Sequence, residues 1–162
     1  MSDVTSLPTF TTRFSNPNAW RKTFKPDKRW LDRCIGAIPA NLWPAPAHAI
    51  SYFFTSDRTI QKLNKTYRGK DAPTNVLSFP LDLDVPSEEE TPLGDVIIAL
   101  ETMVRESQQF ERPFEHHLAH MVMHGTLHLL GFDHQTLDEQ AEMQAIEVTA
   151  LARLAIPNPY DL

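Results

Sequence analysis

Apolar positions along the chain change period several times, and each change predicts an element. Thr9–Phe14 alternates as a short strand does, whereas Asn16–Lys25, polar and holding Pro17, reads as irregular. Asp27 is placed to cap a helix running to about Ala37, with Trp30, Cys34 and Ile38 four apart as a buried stripe. Pro39, Pro44 and Pro46 mark an extended connection to the apolar, aromatic strand Ile50–Thr55. Ser56 or Asp57 can cap the next helix, which runs to about Tyr67 with Ile60, Leu63 and Tyr67 as its apolar face, and Gly69 and Pro73 end it. Val76–Leu81 is a strand, Asp82–Pro92 an acidic loop expected to be mobile, and Gly94–Leu100 a strand buried on both faces. Three helices follow, Glu101–Phe110, Pro113–Gly131 and Leu137–Leu154. Four strands and about five helices, not strictly alternating, predict one α+β domain over residues 1–162: a small mixed sheet packed with helices, its first 25 residues partly irregular.

Composition narrows the class. A chain of 162 residues, 41% hydrophobic and 22% charged, is ordinary for one globular domain. The lone Cys34 excludes an internal disulfide framework, fits a reducing compartment and reads as a small buried apolar residue. No apolar run approaches membrane-spanning length and the N-terminus carries no signal-peptide apolar region, so no membrane partner and a cytoplasmic location are expected. The net charge of −6 conceals an asymmetry, +7 over residues 1–80 and −13 over residues 81–162. Such a separation fits either a polyanionic partner met by one half, or two halves that intermix on the folded surface.

Six of the seven histidines lie between His116 and His134. His124 and His128 stand four apart, hence on one helix face. Gly131 can take the left-handed conformation that ends a helix, and the chain can then bring His134 to the same point. Three imidazoles with an open fourth position make a catalytic rather than a structural zinc site, so one zinc ion on His124, His128 and His134 is expected. His120 extends the row, but it stands about 12 Å from His128 along the axis, too far for a shared ion. It is therefore read as packed or as supporting the ligands, and His116 and His117 as surface residues. The spacing matches the zincin pattern H-E-x-x-H-x-x-G-x-x-H, except that Gly125 occupies the position of the glutamate general base. Hydrolysis survives that departure; ordinary peptide hydrolysis becomes disfavoured. Asp133 can orient a ligand imidazole or cap the final turn.

The stretch His124–His134 resembles the H-G-x-L-H-L-x-G-[YF]-D-H signature of the YbeY family of bacterial endoribonucleases, with Phe132 in place of the more usual tyrosine. Leu63–Pro80 and Leu93–Ile98 resemble the family as well, so the likeness extends over roughly residues 50–160. The resemblance implies the same α+β fold. It also implies that Arg68, in the Y-R-G-x-D motif, is a catalytic residue near the metal that neutralises the scissile phosphate, a role suited to a bidentate guanidinium. Asp71, Thr74, Asn75 and Asp95 fall in family motifs too, with Pro73–Asn75 read as a turn and no catalytic role assigned.

Arg58, Lys62 and Lys65 lie within about 60° of one another on their helix, opposite the apolar face. This row suits RNA phosphate contacts, or is a solvated helix face. The function expected is a zinc-dependent single-strand endoribonuclease. The family likeness further implies ribosome biogenesis, in 3′-end maturation of small-subunit ribosomal RNA and RNA quality control, with ribosomal RNA, the ribosome and its associated factors as partners. The alternatives are a metallopeptidase or amidase on the same zinc site, and a non-catalytic assembly factor whose zinc only fixes the fold.

Overall fold

Alternating apolar and aromatic runs form four strands, β1 (Thr9–Phe14), β2 (His48–Thr55), β3 (Val76–Pro80) and β4 (Thr91–Ala99), in the order β1-β2-β4-β3. The computed structural model describes residues 8–44, 48–81 and 91–161. Most of the acidic stretch read as a loop, 82–90, lies outside them, while Thr91 and Pro92 already belong to β4. The first three strands in this order run parallel and β3 returns antiparallel to β4, pairing Ser78 with Val96. Parallel strands need crossovers, and helices supply them.

Among the described residues six α-helices complete the expected α+β fold: α1 (Pro17–Thr23), α2 (Lys28–Gly36), α3 (Asp57–Arg68), α4 (Leu100–Gln109), α5 (Phe114–Leu129) and α6 (Leu137–Arg153). The sheet alternation divides its side chains between two layers. Ile50, Tyr52, Phe54, Val96 and Ile98 face the main core, shared with α2, α5 and α6. Leu77, Ile97 and Ala99 face the other way and are covered by Ile60 and Leu63 of α3. The β4 run Val96–Ala99 is thus buried on both faces, as its unbroken apolar character predicts.

Where the expected and observed elements differ, local chemistry explains it. Residues 16–25 were expected to be irregular, yet they hold α1. Asn16 takes a left-handed backbone (φ 54°), and Pro17 stands where a helix has no use for an N–H. The buried Trp20 then anchors the helix, donating its indole N–H to the Thr55 carbonyl (3.2 Å). Ser56, rather than Asp57, caps α3 by accepting from the Thr59 amide. Asp57 instead accepts from the Thr102 amide (3.0 Å) and hydroxyl (2.7 Å) and pairs with Arg105 (2.8 Å), joining α3 to α4. Tyr67 is not on the apolar face: it is 68% exposed, and Asn64 is buried in its stead, donating to the Ala72 carbonyl (2.9 Å).

The long helix α5 lies between the sheet and α6, buried from His117 to Met123 and again from Gly125 to Leu127. Tyr52 of β2 hydrogen-bonds Thr126 (2.7 Å); because the Thr126 hydroxyl donates to the Val122 carbonyl (2.7 Å), the tyrosine is the donor. His117, expected on the surface, is only 2% exposed. Its Nε2 lies 3.0 Å from Glu106 of α4, which also accepts from Asn75 (3.0 Å) at the start of β3. The pair His116–His117 is split because consecutive helical residues point about 100° apart, and it is His117 that faces α4.

Burial favours the neutral form of Glu106, but the bonds from His117 and Asn75 outweigh it and hold the carboxyl below the usual carboxylate range. A carboxyl lower in the folded than in the unfolded protein stabilises the fold above its unfolded value, and that contribution is lost as pH falls through the folded one. Glu106→Gln is therefore expected to lower stability at neutral pH and to flatten the loss of stability on acidification. Urea unfolding from pH 7 to about pH 3 measures both; a variant as steep as wild type would mean that the network is not acid-sensitive.

Candidate metal centre

The last turn of α5 brings the three histidines together. His124 and His128 share a face near the helix end and are half-buried, and their Nε2 atoms lie 3.1 Å apart. Two nitrogens about 2.0–2.1 Å from one tetrahedral ion would be about 3.3–3.4 Å apart, so the observed pair is close to a shared metal's edge. After α5 the chain closes a turn in which the Gly131 amide donates to the His128 carbonyl (3.1 Å) and the Phe132 amide to that of Leu127 (3.1 Å). Gly131 has φ 99°, open to glycine and strained for a residue with a Cβ. That turn returns His134, exposed, to the pair: the ligand atoms of the three histidines all lie within 4.8 Å of one another and could hold a metal ion.

Each helical histidine is held through its other nitrogen. His128 Nδ1 donates to the Phe132 carbonyl (2.9 Å), and His124 Nδ1 donates to Glu147 of α6 (2.7 Å). Both bonds place the ring proton on Nδ1 and leave Nε2 free for a ligand role. Burial lowers the pKa of His128, and the neighbouring His124 acts the same way, which favours the neutral ring, the form that binds a metal. Asp133, for which two roles stood open, accepts from the His134 amide (2.8 Å), so it fixes the turn.

Sequence reasoning missed Glu147. Its carboxylate is fully buried, 2.7 Å from His120 Nε2 and 2.7 Å from His124 Nδ1, with the Tyr160 hydroxyl making a short bond to the same group. Burial pushes the carboxyl up, but the hydrogen bonds of His120 and His124 outweigh it and bring it to about 2, so Glu147 is ionised. A signal was present: Met143, Glu147, Ala150 and Leu151 form the buried stripe of α6, and a carboxylate on such a stripe needs partners. His120 is buried among these groups, bonded to Glu147 rather than to the candidate ion.

Arg68, at the end of α3, reaches the same place from the opposite layer. It lines a cavity of about 510 Å³ with Ser78 and Pro80 of the edge strand and with His128, Asp133 and His134. Arg58, Lys62 and Lys65 are exposed on α3 but are not among the residues lining that cavity, and Lys65 lies 3.9 Å from Asp71. Asp71 accepts from Gln61 (3.0 Å), and Asn75 holds the start of β3, its side-chain oxygen accepting from the Val76 amide (2.7 Å). Cys34 is buried, and burial pushes its thiol up to about 12, out of reach of nucleophilic chemistry at neutral pH.

Residues 16–155 match the family model described as Endoribonuclease YbeY. The chain belongs to the YbeY family. It is 41% identical over 133 residues to the Endoribonuclease YbeY of Magnetococcus marinus, covering 76% of this chain and 90% of that one. It is 47% identical over 134 residues to that of Rhodopseudomonas palustris (82% and 69% covered) and 46% over 135 residues to that of Allorhizobium ampelinum (82% and 81%). A solution structure of a Thermotoga maritima protein aligns over 95% of this chain and 97% of that one with a TM-score of 0.51; at 21% identity this is a likeness of fold.

The departure of this YbeY chain from the zincin pattern has a packing cause. A Cβ on Gly125 would come within 2.7 Å of Val96 Cγ1 and 3.1 Å of Val76 Cγ2 and Ser78 Oγ, so position 125 faces the sheet rather than the histidines. Ser78 also donates to the Gly125 carbonyl (2.9 Å), fixing the approach. Gly125→Ala is accordingly expected to destabilise by about 1–3 kcal/mol through overpacking, more than the roughly 0.5–1 kcal/mol that alanine gains in a helix. Denaturant unfolding checks it; an alanine variant as stable as wild type would show that α5 can step back from the sheet without penalty.

Proposed function

We propose that the chain is a zinc-dependent endoribonuclease of single-stranded RNA, with His124, His128 and His134 as metal ligands and Arg68 as the catalytic cation. The observation that carries this is that the ligand atoms of three histidines lie within 4.8 Å of one another, and two of those histidines, His128 and His134, line one cavity with Arg68. The residues suit zinc by their chemistry: three imidazoles, two of them oriented through Nδ1. A zinc ion held there supplies Lewis acidity and a water acidic enough to react near neutral pH. The protein's own part is to bind the phosphodiester beside the ligands and to meet the developing charge with the Arg68 guanidinium, whose planar fork matches two phosphate oxygens.

The finer biological reading follows the family. Its relatives are named endoribonucleases, and by likeness to them we propose a role in ribosome biogenesis: late 3′-end maturation of small-subunit ribosomal RNA and ribosome quality control, with the ribosome and its associated factors as partners, in the cytoplasm. Among the described residues no helix is long and apolar enough to cross a membrane. A peptidase on the same ligands is disfavoured because position 125 cannot carry a carboxylate to them without displacing Val96.

Tag-free protein is expected to carry about one equivalent of zinc, as three imidazoles and an open position allow. His128→Ala should lose it, and metal-free protein should melt lower, because binding energy at such a site contributes to folding. Single-stranded RNA should be cleaved, the activity lost with chelator and regained with zinc, while casein stays intact. Chelator-sensitive proteolysis, or full zinc content in His124→Ala, His128→Ala and His134→Ala alike, would overturn the assignment.

Arg68 and the basic row separate by measurement. Arg68→Ala should cut single-turnover cleavage by about 10²–10³ with zinc content unchanged and RNA affinity reduced far less. Lysine there should recover only part of the rate, lacking the fork. Arg58, Lys62 and Lys65, if they hold phosphates away from the cavity, act on affinity: each alanine variant should flatten the slope of log affinity against log salt by about 0.7. Equal losses of binding and cleavage in Arg68→Ala would make it a further phosphate anchor and leave the catalytic role unfilled.

A further inference from the structure

Glu147 divides its two carboxylate oxygens between different partners. One accepts from His120 Nε2 (2.7 Å) and from the Tyr160 hydroxyl. The other oxygen is given wholly to His124 Nδ1 (2.7 Å). Tyr160 comes from the last residues of the chain. That segment is tied down on both sides, its amide donating to Asn158 Oδ1 (2.9 Å) while Arg112 donates to the Pro159 carbonyl.

We propose that Glu147 is a positioning residue for His124, held in place by Tyr160, so that the carboxy-terminal turn is a working part of the metal centre. The inference rests on the zinc reading above. A carboxylate only accepts, so its bond to Nδ1 requires the His124 proton there and presents bare Nε2 to His128 Nε2. His120 cannot compete for the same role. Its Nδ1 is buried without a hydrogen-bond partner among the described residues, so the ring's proton sits on Nε2 and is donated to Glu147. His120 and Tyr160 therefore both act as donors that hold the carboxylate, and His124 is the one group it orients towards the candidate ion. The two helical ligands consequently differ in what backs them: a neutral carbonyl for His128 and a carboxylate for His124.

The experiment uses full-length protein, with zinc affinity measured by competition against a chromophoric chelator. In parallel, imidazole ¹⁵N shifts of His124 are read in the metal-free protein, a signature that loss of packing alone does not move. Glu147→Gln is expected to weaken zinc binding about 10–100-fold and to shift His124 away from the Nδ1–H tautomer, because the amide offers one acceptor and one donor. Tyr160→Phe, which keeps the ring, should do the same by a smaller factor, and adding it to Glu147→Gln should cost little more, since both act through one carboxylate. A folded Glu147→Gln protein with wild-type zinc affinity and unchanged His124 shifts would overturn the proposal. Should that variant fail to fold, unchanged affinity and shifts in Tyr160→Phe would overturn it instead. A native wild-type protein that binds no zinc would sink the metal reading itself, a different result from zinc bound equally well with and without Glu147.

Discussion

The distance between α5 and the sheet is set at Gly125, where the absence of a side chain lets the helix backbone settle against Val76, Ser78 and Val96. Three consequences follow from that one approach. The Ser78 hydroxyl can reach the Gly125 carbonyl, and Tyr52 can reach Thr126 one residue on. The helix is fixed in rotation, so residues 124 and 128 fall on the seam between the sheet layer and α6 rather than inside either. The end of α5 also lies beside the edge strand β3, where Arg68 arrives from the other layer. A bulkier residue would push the helix outward and separate all three, because close-packed interiors transmit such displacements.

Having set α5 so deep, the fold must satisfy the polar groups it carries inward. It does so with two carboxylates from neighbouring helices, each taking a histidine proton at Nε2: Glu106 of α4 for His117 and Glu147 of α6 for His120. In both histidines the remaining Nδ1 is buried without a hydrogen-bond partner among the described residues, so the bond at Nε2 is the one that anchors each ring. The two arrangements diverge in what else the carboxylate touches. Glu106 spends its second interaction on Asn75, at the start of β3, and so serves the fold. Glu147 spends it on His124 and so faces the histidine site. The same chemical solution thus supports packing at one end of α5 and candidate chemistry at the other.

Much of this was legible in the sequence, for physical reasons that can be named. The i, i+4 spacing of His124 and His128 followed by Gly131 is a local pattern, written in one helix and its cap, and it appears as read. Asp27, Ser56 and the unbroken Val96–Ala99 run are equally local signals. What escaped depends on contacts between distant elements. Glu147 is bound to residues 23 and 27 positions away, and only its place on the apolar stripe of α6 hinted at burial. His117 is buried because α4 packs beside it, which no helical pattern within α5 announces. In α1 the local signal is ambiguous: a polar stretch holding Pro17 reads as irregular, yet at a helix start proline is permissive.

The placement of Arg68 completes the argument about what the cavity can accept. Histidines from one side of the sheet and an arginine from the other can meet only around an edge, and β3 is that edge. Pro80 lines the cavity and has no N–H, so the strand end offers no amide there to pair with another strand. The meeting point is therefore open along one side, bounded by side chains rather than by a closed wall. A phosphodiester within a flexible single strand could lie across such an edge, with its charge towards Arg68 and its path continuing in both directions. A rigid duplex would have to bring its backbone into the same recess, between the end of α3 and the turn after α5. In the proposed reading, the preference for single strands then comes from the route to the cavity, and the histidines and Arg68 need recognise nothing beyond one phosphate.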